Sequence, residues 1–155
     1  MATQKYYLSK EKYDEFVSEL EELRTVKRKE IADALEYARS LGDISENAEF
    51  QEAREAQATL EERIATLKGI IKSAEIISDH HSTTVEPGSF VTVKKEGESN
   101  DQKFHLVGSA EANFTEGRIS NESPIGKAMM SKKKGEKFEV TTPKGKVSYT
   151  IVDIA

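Results

Sequence analysis

The chain has no cysteine and only three prolines among its 155 residues. Without cysteine it forms neither disulfides nor thiolate metal sites, which favours an intracellular protein. No apolar run approaches the roughly 20 residues that a membrane-spanning helix needs. The first residues also lack the apolar stretch of a signal peptide. We therefore predict a cytoplasmic protein that does not associate with membranes.

Charged residues are abundant and unevenly distributed. They make up 33% of the sequence, against roughly 25% in an average globular domain. The net charge is −5, with −6 in residues 1–80 and +1 in residues 81–155. An acidic first half lacks the clustered Lys and Arg side chains that bind phosphates. If nucleic acid is involved, we expect another macromolecule to hold it.

Two long segments have the composition and periodicity of helices. The first, from Ser9 to Leu41, contains neither proline nor glycine and is predicted to be one helix with Ser9 as its N-cap. The second is predicted from about Glu46 to Ile77. In both segments apolar residues recur at steps of three and four, a spacing typical of the seam between the helices of a coiled coil.

The numbering of these apolar residues predicts an antiparallel hairpin, in which facing residues have numbers with a constant sum. That sum is 87 for four apolar pairs: Tyr13 with Ala74, Phe16 with Ile71, Leu20 with Leu67, and Leu23 with Ile64. It becomes 88 for Ala38 with Phe50. The midpoint lies between Asp43 and Ile44, so we expect the tip of the hairpin at residues 42–49.

The same register makes further predictions along the seam. It places Ala34 opposite Ala53. It also places two polar residues, Lys27 and Gln57, inside the seam. Polar residues at such positions often specify the register of a coiled coil at a cost in stability.

The second half has the signals of a small sheet. Strands are predicted at five places: residues 89–93, 103–107, 118–120, 138–141 and 147–154. A short helix is predicted to begin at Ser123 and Pro124, an N-cap followed by proline at the first helical position. The fold class is therefore α+β, with an N-terminal helical hairpin (1–79) and a mainly antiparallel C-terminal sheet domain with one short helix (80–155).

The acids of the predicted tip, Asp43 and Glu46, have two interpretations. In a capping box, Asp43 accepts a hydrogen bond from the N–H of Glu46 at the start of the second helix. Alternatively, the two carboxylates, roughly 5–6 Å apart at Cβ on a helix, share a hard cation such as Mg²⁺. Two carboxylates leave about four of six octahedral positions empty. The chain alone is thus expected to bind Mg²⁺ poorly and to supply half a site.

The tip sequence carries a resemblance. The run from Ala38 to Phe50, followed by Ala53-Arg54-Glu55, resembles the coiled-coil tip of the bacterial GreA/GreB family of transcript cleavage factors. Residues 123–128 and 142–145 resemble that family's second domain. The resemblance implies an antiparallel coiled-coil hairpin followed by an FKBP-like domain that docks on RNA polymerase.

The resemblance also implies a mechanism. The hairpin enters the secondary channel of RNA polymerase, where Asp43 and Glu46 help to hold the second Mg²⁺ of the polymerase active site and orient a water molecule. That water cleaves the 3′ segment of backtracked RNA by two-metal phosphodiester hydrolysis. On this reading the chain is no enzyme on its own, and its partners are RNA polymerase and the nascent RNA 3′ end.

Further site residues follow from the resemblance, each with a structural alternative. Four are expected near the RNA: Arg39, Arg54, Ser45 and Asn47. Three are expected to contact polymerase: Ser123, Pro124 and Ile125. The alternatives are ion pairs for the two arginines, with Glu36 and Asp33, and helix-start roles for the two serines and Asn47.

Two other functions remain open. A Gre-like protein can occupy the same channel and retune transcription without cleavage, although such relatives depart from the Asp-x-x-Glu pattern that this chain keeps. The coiled coil can also serve as an interaction module for a different partner, which binding to polymerase would exclude. A self-paired hairpin needs no partner helix, so we expect a monomer.

Overall fold

The computed structural model describes residues 5–43, 47–78 and 82–155. The chain forms two compact units, one of residues Glu11–Ala74 and one that combines Met1–Lys10 with Glu75–Ala155. The first residues of the chain therefore group with its C-terminal part. The domain limits 1–79 and 80–155 stay a prediction.

The described part of the helical unit contains three α-helices and one π-helical turn. They follow one another as α1 (Lys10–Glu22), the π turn (Leu23–Lys27), α2 (Arg28–Ser40) and α3 (Ala48–Ser73). The long first helix is thus confirmed, apart from the π turn. The second helix is shorter than predicted, because Ala74–Ile76 form a strand, β2, that pairs with β1 (Tyr6–Leu8). Over the residues described, no helix is long and apolar enough to cross a membrane.

The seam between the two arms buries apolar side chains from both. The most buried are Phe16 and Ala38 from the first arm, and Phe50, Ala53, Leu60, Ile64 and Leu67 from α3. Most of the residues that the constant sum placed in the seam are therefore confirmed as inward. Three are wrong, because Ala34, Lys27 and Gln57 are exposed.

The π turn explains the errors in the first arm. An α-helical step of four from Leu23 leads to Lys27, but the π turn contains one extra residue, and the N–H of Arg28 donates to the carbonyl of Leu23. The inward position therefore moves to Arg28, which is half-buried. From there, steps of three and four lead to three inward residues: Ile31, Leu35 and Ala38. The extra residue also accounts for the change of the facing sum from 87 to 88.

Two bidentate ion pairs join the arms of the hairpin. Arg28 donates to the two carboxylate oxygens of Glu61 at 2.9 and 2.8 Å, and Arg63 donates to those of Glu19 at 2.8 and 3.0 Å. The hydrogen bonds from Arg28 also lower the pKa of the Glu61 carboxyl below its ordinary value. Because these side chains are partly exposed, each pair stabilises the hairpin only modestly, but the fork geometry favours one register.

The C-terminal unit is built on a five-stranded sheet with the order β5-β4-β3-β7-β6. Its strands are β3 (Phe90–Lys95), β4 (Asp101–Val107), β5 (Arg118–Ser120), β6 (Lys137–Thr142) and β7 (Gly145–Ile154). The pair β4–β5 is parallel and the other pairs are antiparallel. A short helix, α4 (Pro124–Met129), follows β5. The α+β fold class with a mainly antiparallel sheet is confirmed.

Alternate residues of these strands form the core of the C-terminal unit. The buried cluster contains Val85, Val91, Val93, Phe104, Leu106, Ile119, Met129, Phe138, Val140 and Ile151. Most of these side chains come from strands with a two-residue period, which places them on one face of the sheet. Met129 comes from α4, so the short helix covers that face.

The strand β1 lies against the loop after β4. A Cβ at Gly108 would lie 1.7 Å from the carbonyl oxygen of Tyr7, so the close backbone approach requires glycine. The N–H and the hydroxyl of Ser9 donate to the carboxylate of Glu111 at 2.9 and 2.7 Å. Ser9 directly precedes α1, so these bonds hold the chain just before the helix begins.

Deleting Val26, a residue of the π turn that is 50% exposed, removes the extra residue. The inward positions then continue at steps of three and four, so we expect an uninterrupted α-helix. The midpoint of thermal unfolding, followed by circular dichroism, is expected to stay at or above that of the parent protein.

Deleting the exposed Asp33 is the matched control, because it removes one residue of α2 outside the π turn. This deletion rotates Ala38 by about 100° relative to the residues before the deletion, and we expect a lower midpoint. Equal losses of stability in the two variants would contradict the register role of the π turn.

Candidate functional site

The tip of the hairpin begins where α2 ends. The N–H of Leu41 donates to the carbonyl of Ala38 at 3.2 Å, and the N–H of Gly42 donates to that of Arg39 at 3.4 Å. Gly42 has a φ of +119°, a region that other residues rarely adopt. Among the described residues, nothing lies within 4 Å of the position of a Cβ there. The backbone conformation, and not a lack of space, therefore requires glycine.

Of the two acids predicted to bind metal, only Asp43 lies within the described residues. It directly follows Gly42, outside any helix, and is exposed. Glu46 and Ser45 lie outside the described residues, so the pairing of the two carboxylates stays a prediction. Among the residues that are described, no group of three or more His, Cys, Asp or Glu side chains is arranged to hold a metal ion.

Asn47 caps α3 and also reaches α2. Its Oδ1 accepts from the N–H of Phe50 at 3.1 Å, and its Nδ2 donates to the carbonyl of Ala38 at 2.6 Å. The helix-start role considered for Asn47 is therefore present, while its contact with RNA stays a prediction. The N-cap of α3 is Asn47 and not Asp43, while a hydrogen bond between Asp43 and Glu46 lies outside the described residues and stays a prediction.

The two arginines near the tip have different surroundings. The guanidinium carbon of Arg39 lies 5.9 Å from the centre of the Phe50 ring, within the range of a cation–π attraction. Arg54 is exposed. Within the described ranges neither arginine forms an ion pair. The alternative pairs with Glu36 and Asp33 are therefore wrong, and the expected contacts with RNA stay predictions.

Basic residues farther from the tip are engaged with acids. The Lys27 ammonium lies 3.1 Å from the Glu30 carboxylate, and the Arg28 guanidinium lies 2.8 Å from the Glu61 carboxylate. These pairs offset positive charge that could otherwise attract phosphates. The local charges agree with the acidic first half of the sequence.

The predicted polymerase contact lies at the start of α4. Ser123 is the N-cap, as predicted: its hydroxyl accepts from the N–H of Gly126 at 3.1 Å and donates to the carbonyl of Ser120 at 2.7 Å. Pro124 occupies the first turn and is exposed, whereas Ile125 is half-buried and packs against the core. The structure thus brings the three residues together, with Pro124 as the most accessible.

Comparison with known proteins assigns the family. Residues 6–76 match the profile described as transcription elongation factor, N-terminal, and residues 80–155 match that of transcription elongation factor, GreA/GreB, C-term. The chain belongs to the GreA/GreB family. The sequence resemblance is therefore confirmed, and it extends over both halves of the chain.

Curated relatives agree with this assignment. Transcription elongation factor GreA of Bacillus cereus strain AH187 is 43% identical over 157 residues, which cover 99% of each chain. Transcription elongation factor GreA of Chloroflexus aggregans is 46% identical over 150 residues, which cover 96% of each chain. Among solved structures, GreA factor homolog 1 (Gfh1) of Thermus thermophilus is 27% identical, with 98% of this chain and 99% of that chain covered and a TM-score of 0.45.

Sequence reasoning missed how the tip is held together. Asn47 was predicted as a polar neighbour of the acids or as a helix-start residue, but its bond to the carbonyl of Ala38, nine residues earlier, follows from no sequence pattern. Phe50 was predicted only as a seam residue, yet its ring also lies under Arg39. The one available signal was the residue type, since Asn is among the best N-caps.

The start of α4 tolerates no side chain at Gly126, where a Cβ would lie 2.0 Å from the Ser120 carbonyl oxygen. We expect Gly126→Ala to lower the free energy of unfolding by about 1–3 kcal/mol, the usual range for overpacking. The measurement is chemical denaturation.

Gly69→Ala is the matched control for this substitution. Gly69 lies in the interior of α3, and no described residue comes within 4 Å of a Cβ there, so alanine should raise the free energy of unfolding by roughly 0.5–1 kcal/mol. A neutral Gly126→Ala would show that α4 moves away from Ser120 without cost.

Proposed function

We propose that this chain stimulates RNA polymerase to cleave the 3′ end of backtracked RNA, and so restarts arrested elongation complexes. The observation that carries the proposal is the position of Asp43, which is exposed and lies just after α2, between the two arms of the helical hairpin. An exposed carboxylate at such a tip serves no core, and the hairpin can present it to the site of another molecule. Membership of the GreA/GreB family supports the proposal.

The chemistry that fits the tip is shared metal binding. Carboxylate oxygens are ligands that Mg²⁺ prefers, and Mg²⁺ usually takes only one or two of them from a protein. Asp43 together with Glu46 would supply that number, and the polymerase and the RNA would supply the rest. Bound there, the Mg²⁺ would stabilise the charge of the attacking or leaving oxygen of a phosphodiester. The isolated chain is accordingly not an enzyme and holds no metal stably.

The other contacts belong to the same proposal. Arg54, exposed and without an ion pair among the described residues, and Arg39, on the Phe50 ring, would contact the RNA 3′ segment. The exposed Pro124, with Ser123 and Ile125 beside it, would dock on the rim of the channel. The chain would act as a monomer in the cytoplasm.

Cleavage in a stalled, backtracked elongation complex tests the proposal. We expect Asp43→Asn with Glu46→Gln to slow stimulated cleavage by roughly 100-fold, equivalent to about 2.7 kcal/mol of activation free energy, because the carboxylates no longer complete the metal site. Polymerase binding, measured by competition with the parent protein, should be retained. Higher Mg²⁺ concentrations should restore part of the rate.

Glu49→Gln with Glu52→Gln is the matched control. Both acids are exposed residues of the first turns of α3, and the double substitution changes the net charge equally. It should leave cleavage within about twofold of the parent, since screened surface charges contribute little. Binding without stimulated cleavage by the parent protein would instead support a channel binder that retunes transcription. A parent protein that does not bind polymerase would overturn the proposal.

A further inference from the structure

We propose that Asn47 is a positioning residue, whose side-chain amide joins the start of α3 to the end of α2 and so holds Asp43, three residues beyond α2, in place. The inference deepens the proposed function and rests on it for its effect on cleavage. The bond that carries it joins Asn47 Nδ2 to the carbonyl of Ala38 at 2.6 Å. The residues between these two points contain both acids of the tip, Asp43 and Glu46.

The amide connects a backbone group at the end of α2 with one at the start of α3. The carbonyl of Ala38 is among the last four of α2, and the N–H of Phe50 is among the first four of α3. Asn47 donates to the first, which also accepts from the N–H of Leu41, and accepts from the second. One neutral side chain therefore joins the end of one helix to the start of the next.

The residue type follows from this arrangement. The two partners are a backbone carbonyl and a backbone N–H, so the orientation of the amide is unambiguous. A carboxylate offers only acceptors, and a serine hydroxyl is too short to span the same distance. Either can still cap α3. Asparagine is therefore required by the bond to Ala38 and not by the cap.

The surroundings make the connection rigid at its base. Ala38 is 1% exposed and Phe50 is 6% exposed, so both partners belong to the last buried layer of the seam. Arg39, next to Ala38, lies over the Phe50 ring and so also connects the two arms. Asp43 thus follows a helix end that is joined to packed residues of both arms. A misplacement of a reacting group by about 1 Å can cost roughly 100-fold in rate.

Asn47→Ser tests the inference, because serine keeps a neutral N-cap and removes only the reach to Ala38. At saturating concentrations of the factor we expect cleavage in the backtracked complex to slow by roughly tenfold. The concentration of factor that gives half the maximal rate should change by less than about twofold, since polymerase docking is untouched. A merely structural role would shift that concentration or the unfolding midpoint and not the maximal rate.

Asn47→Asp is the second variant, since it also caps α3 but places a carboxylate oxygen against the carbonyl of Ala38. It should slow cleavage at least as much as Asn47→Ser. Asn113→Ser is the matched control: it makes the same change in the C-terminal unit, outside the hairpin. Its cleavage rate should equal that of the parent protein.

Amide hydrogen exchange in the isolated protein gives a readout that does not depend on polymerase. In Asn47→Ser, the N–H groups of Leu41 and Gly42 should exchange faster, because the end of α2 opens more often. The N–H of Phe50 should stay protected, because serine still caps α3. If both variants keep the parent's exchange and cleavage rates, the inference is overturned and the proposed function stands. If the parent protein does not stimulate cleavage, the proposed function fails. The exchange rates alone then show whether the bond from Asn47 to Ala38 stabilises the end of α2.

Discussion

At the tip of a helical hairpin, the last carbonyls of one helix and the first N–H groups of the next have no partner within a regular helix. In this chain the side-chain amide of Asn47 donates to the carbonyl of Ala38 and accepts from the N–H of Phe50. The amide therefore joins the end of α2 to the start of α3. The N-cap of α3 is thus a neutral side chain, and the exposed Asp43 precedes it in the chain. The chemistry proposed for the tip depends on this connection between the two arms.

The bond across the tip can form only if the two arms keep one register along their length. A slip of one residue moves a side chain by about 1.5 Å along the helix and 100° around it, which would separate Asn47 from Ala38. The bidentate pairs of Arg28 with Glu61 and of Arg63 with Glu19 oppose such a slip from the middle of the hairpin. The π turn has a role here as well, because it accommodates an extra residue between the inward positions before and after it. If the same residues formed an uninterrupted α-helix, the inward residues beyond the turn would be rotated out of the seam by about 100°.

Much of this could be predicted from the sequence, and the failures have physical causes. Steps of three and four between apolar residues identified the antiparallel hairpin and its tip, since burial of a seam imposes that spacing. The same steps failed at Lys27, because they assume an uninterrupted α-helix and the π turn adds a residue. Helix propensity failed at Ala74–Ile76, where pairing with β1 overrides it. The hydrogen bond from Asn47 to Ala38 could not be predicted, since it depends on how close the two helices bring a side chain and a distant backbone carbonyl.

An incomplete metal site limits which RNA such a factor can help to cleave. If a chain held a complete pair of metals, it would hydrolyse any RNA that reached it. Two carboxylates on a hairpin bind Mg²⁺ weakly, because most of its coordination positions stay with water. Under the proposed function, catalysis then requires the polymerase's own ligands and an RNA 3′ end in the same place. Under the same proposal, holding Asp43 in place through Asn47 would make the weak half-site more effective, because less binding energy would have to be used to position the carboxylate.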